Sequence, residues 1–384
     1  MSAHTAPLPD TLNLSHIQGA HVPMPCKELA PTLQFFVDRL KFRVVAIFPA
    51  DSPSTAMVTG YGLTLHLHQS EGAAHKGEGQ WPTTLHLLCD DPQAVAGGQR
   101  ELVAPNGVVI RLVHADPPMV LPPTRQELVL SLEKEGTQWS VGRAGMRYRD
   151  LLPQRHGGAF IASQIRILEG GPIPDYVHFH KIRFQLIFCR KGWVRVVYEG
   201  QGEPFVMQAG DCVLQPPMIR HRVLESSAGA EVVEIGSPAQ HITMADLNMS
   251  LPCPPLPADH DFSGQRFVRH IAQDAVWEPW RIAGFEARDT GIAAATSGLA
   301  TVRVVRHTAH SAPATAQSHT SEFCFYFVLS GAVRCVVDGS AHVLRSDDSI
   351  TIPGGMRYAL EPQGSVELLE VMLPAEPDFL LDPV

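Results

Sequence analysis

The chain has 384 residues, 45% hydrophobic and 18% charged, with a formal charge of −9 at neutral pH. This is the composition of a globular protein of two or three domains, and the negative charge argues against nucleic acid or an anionic membrane as partner. With 32 Pro and 31 Gly set between short β-branched runs, many strands and few helices are expected.

The seven cysteines (Cys26, Cys89, Cys189, Cys212, Cys253, Cys324 and Cys335) are odd in number and scattered, without a Cys-x-x-Cys. Free thiols and a reducing, cytoplasmic setting are expected from that usage. No basic, apolar leader opens the chain and no apolar run is long enough to span a bilayer, so neither secretion nor membrane insertion is expected.

Residues 1 to about 14 read as a disordered lead. A strand is predicted over Gln18 to Met24, and a helix over Glu28 to Leu40 from the spacing of Leu29, Leu33, Phe36, Val37 and Leu40. Phe42 to Phe48 reads as a strand. Ala56 to Thr59 and Leu63 to His68 flank Gly60-Tyr61-Gly62 as a hairpin. Thr83 to Cys89 and Gly107 to Val113 supply further strands, with a short helix at Pro92 to Ala96. At "TLQFFVDRLKFRVVAIFPADSPSTAMVTGYGLTLHL" this α+β unit resembles the glyoxalase/vicinal-oxygen-chelate family, with a shortened second module. That resemblance implies metal ligands near His21 and near His66 or His68, but the usual terminal Glu is not evident. A scaffold or dimerisation element is the reading preferred for it.

From about residue 135 the chain repeats itself. Arg149-Asp150 recurs as Arg288-Asp289, Gln185 as Cys324 and Gly192 as Gly331, all at an offset of 139, while Pro216 recurs as Pro353 and His221 as Tyr358 at 137. A Pro-rich linker from Met249 to His260 joins the copies. Each copy carries short strands with Gly turns: Phe184 to Cys189, Trp193 to Tyr198 and Asp211 to Leu214, then Phe323 to Leu329, Val333 to Val337 and Ser349 to Ile352. Closed barrels or double-sheet jelly rolls fit that spacing.

The chemistry concentrates in the first copy. His178-x-His180 places two imidazoles on one face of a strand, with Gln185 and Gly192 following. The second segment is Gly210-x5-Pro216-x-Met218-x2-His221-x3-Glu225. These spacings resemble the two motifs of the cupin family, the lead-in from Gly171 being one residue longer. The expected fold is therefore mainly β: a glyoxalase-like α+β domain over 15–118, then two cupin-type double-stranded β-helix barrels over 135–248 and 262–384.

The resemblance implies a metal held by His178, His180 and His221, with Gln185 where a Glu is usual, as a weak ligand or as a partner of a metal-bound water. In the second copy the four positions are Gln317, His319, Cys324 and Tyr358, a poor donor set, so one metal per chain is expected. Fe(II) is the first expectation, with Mn, Ni, Zn or Cu as alternatives. Strand alternation puts Arg183 and Cys189 on the Gln185 face as candidate substrate contacts, although Arg183 reads equally well as an outward surface residue. Tyr198 and Trp193 are candidates to line the barrel, and Cys189 and these aromatics read also as core.

Bicupins with one live and one degenerate site imply a mononuclear non-haem metal dioxygenase acting on a small aromatic or diketone-like anion. The alternatives are a non-catalytic small-molecule-binding or sensing protein and a Zn- or Ni-dependent isomerase or cyclase. Homodimerisation through sheet faces is expected. The sequence has no Gly-x-Ser-x-Gly elbow, no P-loop and no Gly-x-Gly-x-x-Gly after a strand.

Overall fold

The computed structural model describes residues 14–39, 42–60, 62–69, 84–103, 109–134, 137–308 and 315–383. The disordered reading of the first residues, Tyr61 at the hairpin and the ends of two strands therefore lie outside the described residues. Two compact units are present, Met1–Val120 with Ile242–Ala245, and Leu121–His241 with Asp246–Val384.

In the first unit the expected strand, helix, strand, strand, strand order holds, with a shorter helix. Leu29–Gln34 is α-helical and Phe35–Arg39 widens into a looser turn. The strand Ile17–Cys26 runs parallel to Leu63–Gln69 and antiparallel to Thr84–Cys89. Thr55–Gly60 and Leu63–Gln69 form the predicted hairpin. Leu29, Phe42, Val58, Leu65 and Leu67 make the core of this unit. The helix at Pro92–Val95 starts where Asp91 accepts hydrogen bonds from the backbone N–H groups of Gln93 and Ala94, a standard way to satisfy the free donors of a first turn.

The second unit contains both repeat copies and is all β apart from short turns. In the first copy one sheet orders Val268–His270, Cys212–Leu214, Phe184–Lys191, Ala230–Ser237, Ile161–Ile167, Arg147–Asp150 and Ser140–Val141. The opposing sheet contains Phe205–Gln208, Trp193–Tyr198, His221–Ser226 and His178–Lys181. The second copy repeats the arrangement, with one difference from expectation. Its two central strands are a single bent strand, Phe323–Val337, whose register against Tyr358–Leu373 slips between Gly331 and Val333. Gly331 and its counterpart Gly192 have φ of +77° and +70°. A Cβ there would come 2.0 Å from the Ser365 carbonyl oxygen and 2.3 Å from Ser227 Oγ, so only glycine fits these turns.

Strand alternation explains how the copies join. Phe184, Leu186 and Phe188 face one way, and Phe323, Phe325 and Phe327 do the same in the second copy; all six are in one buried cluster. Phe160 stacks on Phe323 with ring centroids 4.3 Å apart. Burying each of these rings contributes on the order of 2–3 kcal/mol as an upper estimate. The intervening residues, Gln185 and Cys189 in one copy and Cys324 and Tyr326 in the other, face the two barrel interiors.

The copies also exchange strands reciprocally. Val129–Ser131, leading into the first copy, pairs with Ser349–Thr351 of the second; Val268–His270, leading into the second, pairs with Cys212–Leu214 of the first. Asp348 accepts from Glu133 N at 2.7 Å and Arg345 N at 2.7 Å, and Asp211 accepts from Ala272 N at 2.8 Å and Gln208 N at 2.8 Å. The recurring Arg149 and Arg288 complete the lock. Arg149 bonds the Asp347 carbonyl and Glu133, while Arg288 donates to the Gly210 carbonyl at 3.0 Å and to His270.

Candidate metal centre

Two neighbouring strands build the site. His178 and His221 are direct cross-strand partners, and His180 follows two residues along on the same face. Phe179, between them, points away, under the guanidinium of Arg220. At Met218 the backbone takes φ of 67° where the cupin motif has glycine, and its N–H donates to the His180 carbonyl at 2.9 Å. This tight turn delivers His221 to its strand.

The three rings converge. Centroid separations are 4.2 Å for His178–His221, 5.1 Å for His180–His221 and 5.3 Å for His178–His180. Among the described residues this is the one group of three His, Cys, Asp or Glu side chains whose ligand atoms all lie within 4.8 Å of one another. All three are buried.

Their tautomers are set by the backbone. His178 Nδ1 lies 2.8 Å from the Tyr176 carbonyl and His221 Nδ1 lies 3.0 Å from the Ile219 carbonyl. A carbonyl only accepts, so both Nδ1 atoms carry the proton and both Nε2 atoms present lone pairs. His178 Nε2 is buried with no hydrogen-bond partner, a costly arrangement that coordination to a cation relieves. Burial keeps the imidazoles neutral. It depresses His178 and His180 well below the ordinary range, reinforced by Arg143 and by the neighbouring rings, and takes His221 to about 4. Three neutral imidazole nitrogens facing one point fit a first-row divalent metal.

Gln185 is beside the cluster but is committed elsewhere. Its Oε1 accepts from Gln215 Nε2 at 3.0 Å and its Nε2 donates to Glu234 Oε1 at 2.6 Å. Gln215 in turn accepts from the Tyr198 hydroxyl at 2.6 Å, and its Nε2 also lies 3.3 Å from His221 Nε2. Tyr198 is therefore a buried member of this chain, its ring stacked on His221.

Two expected substrate contacts have other partners in the structure. Arg183 precedes the strand Phe184–Lys191 and pairs with Glu322 of the second copy at 2.7 Å, its own repeat counterpart, so it is part of the join between copies. Cys189 does face inward, but it packs in the apolar core, where burial pushes its thiol up to about 12. Trp193 is only half-buried, on an outer groove with Arg195 and Glu225.

Sequence reasoning missed five residues of the site: Gln215, described above, with Arg143, Asp175, Glu234 and His241. Arg143 pairs with Asp175, whose other oxygen accepts from Val223 N at 2.9 Å. Although burial opposes its charge, Asp175, Tyr148, Tyr176 and Glu234 raise the Arg143 pKa. The charge of Arg143 reaches all three imidazoles. Glu234 holds Gln185, and His241 packs its ring 5.3 Å from that of His180. The repeat was the available signal for Arg143. It follows Ser140–Val141 as Arg281 follows Glu278–Pro279, the matching strand of the second copy.

The second copy brings its four positions together without a metal set. Gln317 pairs with Tyr358 in the register that joins His178 to His221. Arg281 fills the interior between them. Its Nε donates to Gln317 Oε1 at 2.9 Å, and its Nη2 donates to the Tyr326 hydroxyl at 2.7 Å and to the buried Glu370. Tyr326 and Tyr358 share a hydrogen bond of 2.9 Å. Burial pushes the Glu370 carboxyl up, but Arg281, Arg303 and Tyr326 together hold it below its ordinary value.

In the first unit His21, the position implied by the glyoxalase resemblance, packs against His66 and His86 with ring centroids 5.3 and 5.2 Å apart. His21 Nε2 lies 3.3 Å from His86 Nδ1, and burial lowers the His21 pKa to about 4. His68 is on the same strand as His66, their ring centroids 5.7 Å apart.

Comparison with known proteins agrees with the fold. Residues 304–372 match the Cupin domain family. No curated protein matches the chain in sequence. In structure it is similar to the salicylate 1,2-dioxygenase of Pseudaminobacter salicylatoxidans, with TM-score 0.51 and 16% identity, covering 68% of this chain and 90% of that one. The salicylate 1,2-dioxygenase of Pseudoaminobacter salicylatoxidans as an adduct with gentisate aligns at TM-score 0.50 and 16% identity, over 68% of this chain and 87% of that one. These likenesses establish a β-rich jelly-roll cupin architecture. All seven cysteines are free, and among the described residues no helix is long and apolar enough to cross a membrane.

Proposed function

We propose that the first barrel is the centre of a mononuclear non-haem metal dioxygenase, Fe(II) being the metal, that acts on a small anionic aromatic or diketone-like substrate. The observation that carries this reading is the convergence of three neutral, buried imidazoles, two of which, His178 and His221, have their Nε2 lone pairs set by backbone carbonyls. Bound at these nitrogens, Fe(II) supplies redox chemistry toward dioxygen and a Lewis-acid site for the substrate.

The residues around it do the rest. No carboxylate belongs to the three-histidine group, so the ligands themselves add no negative charge and the ion keeps a net positive charge that attracts an anion. Arg143 adds a second positive charge beside the histidines, oriented by Asp175, and attracts a carboxylate or enolate. Burial of the histidines keeps water from the reacting groups. The similarity in fold to a salicylate dioxygenase supports the substrate class as an aromatic carboxylate.

The test is oxygen uptake by protein reconstituted with Fe(II), across hydroxybenzoates, catechols and β-diketones. Uptake with a carboxylate-bearing aromatic, lost in Arg143→Met through a raised KM, is expected. Metal binding without uptake on any substrate would favour the ligand-binding reading instead.

A further inference from the structure

The ligand set has Gln185 where a carboxylate is usual, yet a carboxylate remains in the barrel on the adjacent strand. Glu234, on Ala230–Ser237, is paired in register with Ile187, so it shares the inward face of Gln185 on the neighbouring strand. The amide of Gln185 donates to it at 2.6 Å. The hydrogen bonds behind that contact all point the same way: Tyr198 donates to Gln215, Gln215 to Gln185, and Gln185 to Glu234. A carboxylate has no proton to give when ionised, so it dictates which end of the Gln185 amide faces it and, through the chain, orients Gln215 beside His221.

The repeat supplies an independent observation. Glu370 stands in the same register in the second barrel, opposite Tyr326 as Glu234 is opposite Ile187. There the glutamate is paired with a cation inside the barrel, the guanidinium of Arg281, which also holds Gln317 at the position equivalent to His178. In the first barrel the equivalent guanidinium, Arg143, is bonded to Asp175, and three imidazoles stand at the ligand positions. The same interior glutamate is thus hydrogen-bonded to a guanidinium in one barrel, whereas in the other it is hydrogen-bonded to Gln185 beside a metal-type donor set, the charge of Arg143 reaching it only through space.

We propose that Glu234 is the displaced carboxylate of the metal centre, a positioning residue that acts through Gln185 and offsets the charge of the divalent ion held by His178, His180 and His221. This rests on the reading of the three histidines as a metal site. Carboxylates hydrogen-bonded to a metal's ligands typically change its affinity by roughly 10- to 100-fold; Glu234 reaches His221 through Gln185 and Gln215, so the low end of that range applies.

The test is Co(II) binding to the metal-free full-length protein, by equilibrium dialysis and visible absorption. Glu234→Gln is expected to weaken Co(II) binding by roughly 10-fold, and Glu234→Asp, which keeps the charge, by less. The double variant Q185E/E234Q moves the carboxylate onto the strand that faces the histidines. It is expected to restore wild-type affinity or better and to shift the Co(II) absorption as an oxygen donor enters. Should E234Q bind Co(II) like the wild type, or the double variant bind as weakly as E234Q, the role of Glu234 is refuted while the metal site stands. Wild-type protein that takes up no Co(II) refutes both.

Discussion

The two barrels are built on one plan and filled in two ways. Ligand positions His178, His180, Gln185 and His221 in the first become Gln317, His319, Cys324 and Tyr358 in the second, with the same strand pairing beneath them. Each barrel keeps an arginine after its first short strand and a glutamate on its inward face. In the first barrel Arg143 is held by Asp175 beside the histidines. In the second Arg281 enters the interior and neutralises Glu370. A barrel that has given up its donors still has a buried carboxylate to satisfy, and a tethered guanidinium does so permanently. The reciprocal strand exchange explains why the second barrel persists: Val129–Ser131 and Val268–His270 each complete the other copy.

The sharpest break in this comparison is expected at the ligands. His221→Ala should lower divalent-metal affinity by at least about 100-fold, whereas His319→Ala should leave it unchanged, both read by equilibrium dialysis. In the second barrel, Arg281→Met strands Glu370 and should destabilise the protein by about 3–5 kcal/mol in chemical denaturation. Removing both charges, as R281M/E370M, should recover most of that loss.

Protonation gives a further contrast. Burial, then the charge of Arg281, lowers the His319 pKa to about 4, while the unfolded chain takes up that proton near pH 6.5. Its contribution to stability is therefore complete above about pH 6.5 and is lost as pH falls toward 4. His319→Gln should flatten the pH dependence of the denaturation midpoint over that window, by at most about 3 kcal/mol. The smallest effect is expected at Tyr198→Phe, about 1 kcal/mol for the lost bond to Gln215. Tyr326→Phe, which removes a donor to the charged Glu370, should cost about twice as much in the same measurement.

The sequence made the histidines readable because their signal is local. Two residues two apart share a strand face, and the third follows a fixed turn that ends at His221. The repeat was readable for the same reason, and the strands it implied are present, two of them joined as Phe323–Val337. What escaped notice depends on register between strands distant in sequence. Glu234 acquires its role only when Ala230–Ser237 is laid against Phe184–Lys191. Arg183 stands just before the first residue of its strand, where alternation no longer sets the direction of a side chain, and it pairs with Glu322. Arg143 lies 35 residues before His178 in the sequence, and no spacing rule connects a side chain after an edge strand to the barrel interior.

The central claim is that one barrel holds metal and the other holds its own guanidinium. Elemental analysis of the reconstituted protein, beside H178Q and R281M variants, tests it most directly. One metal per chain is expected in the wild type, none in H178Q, and the full equivalent retained in R281M. Two metals per chain in the wild type, or one that survives in H178Q, would contradict it.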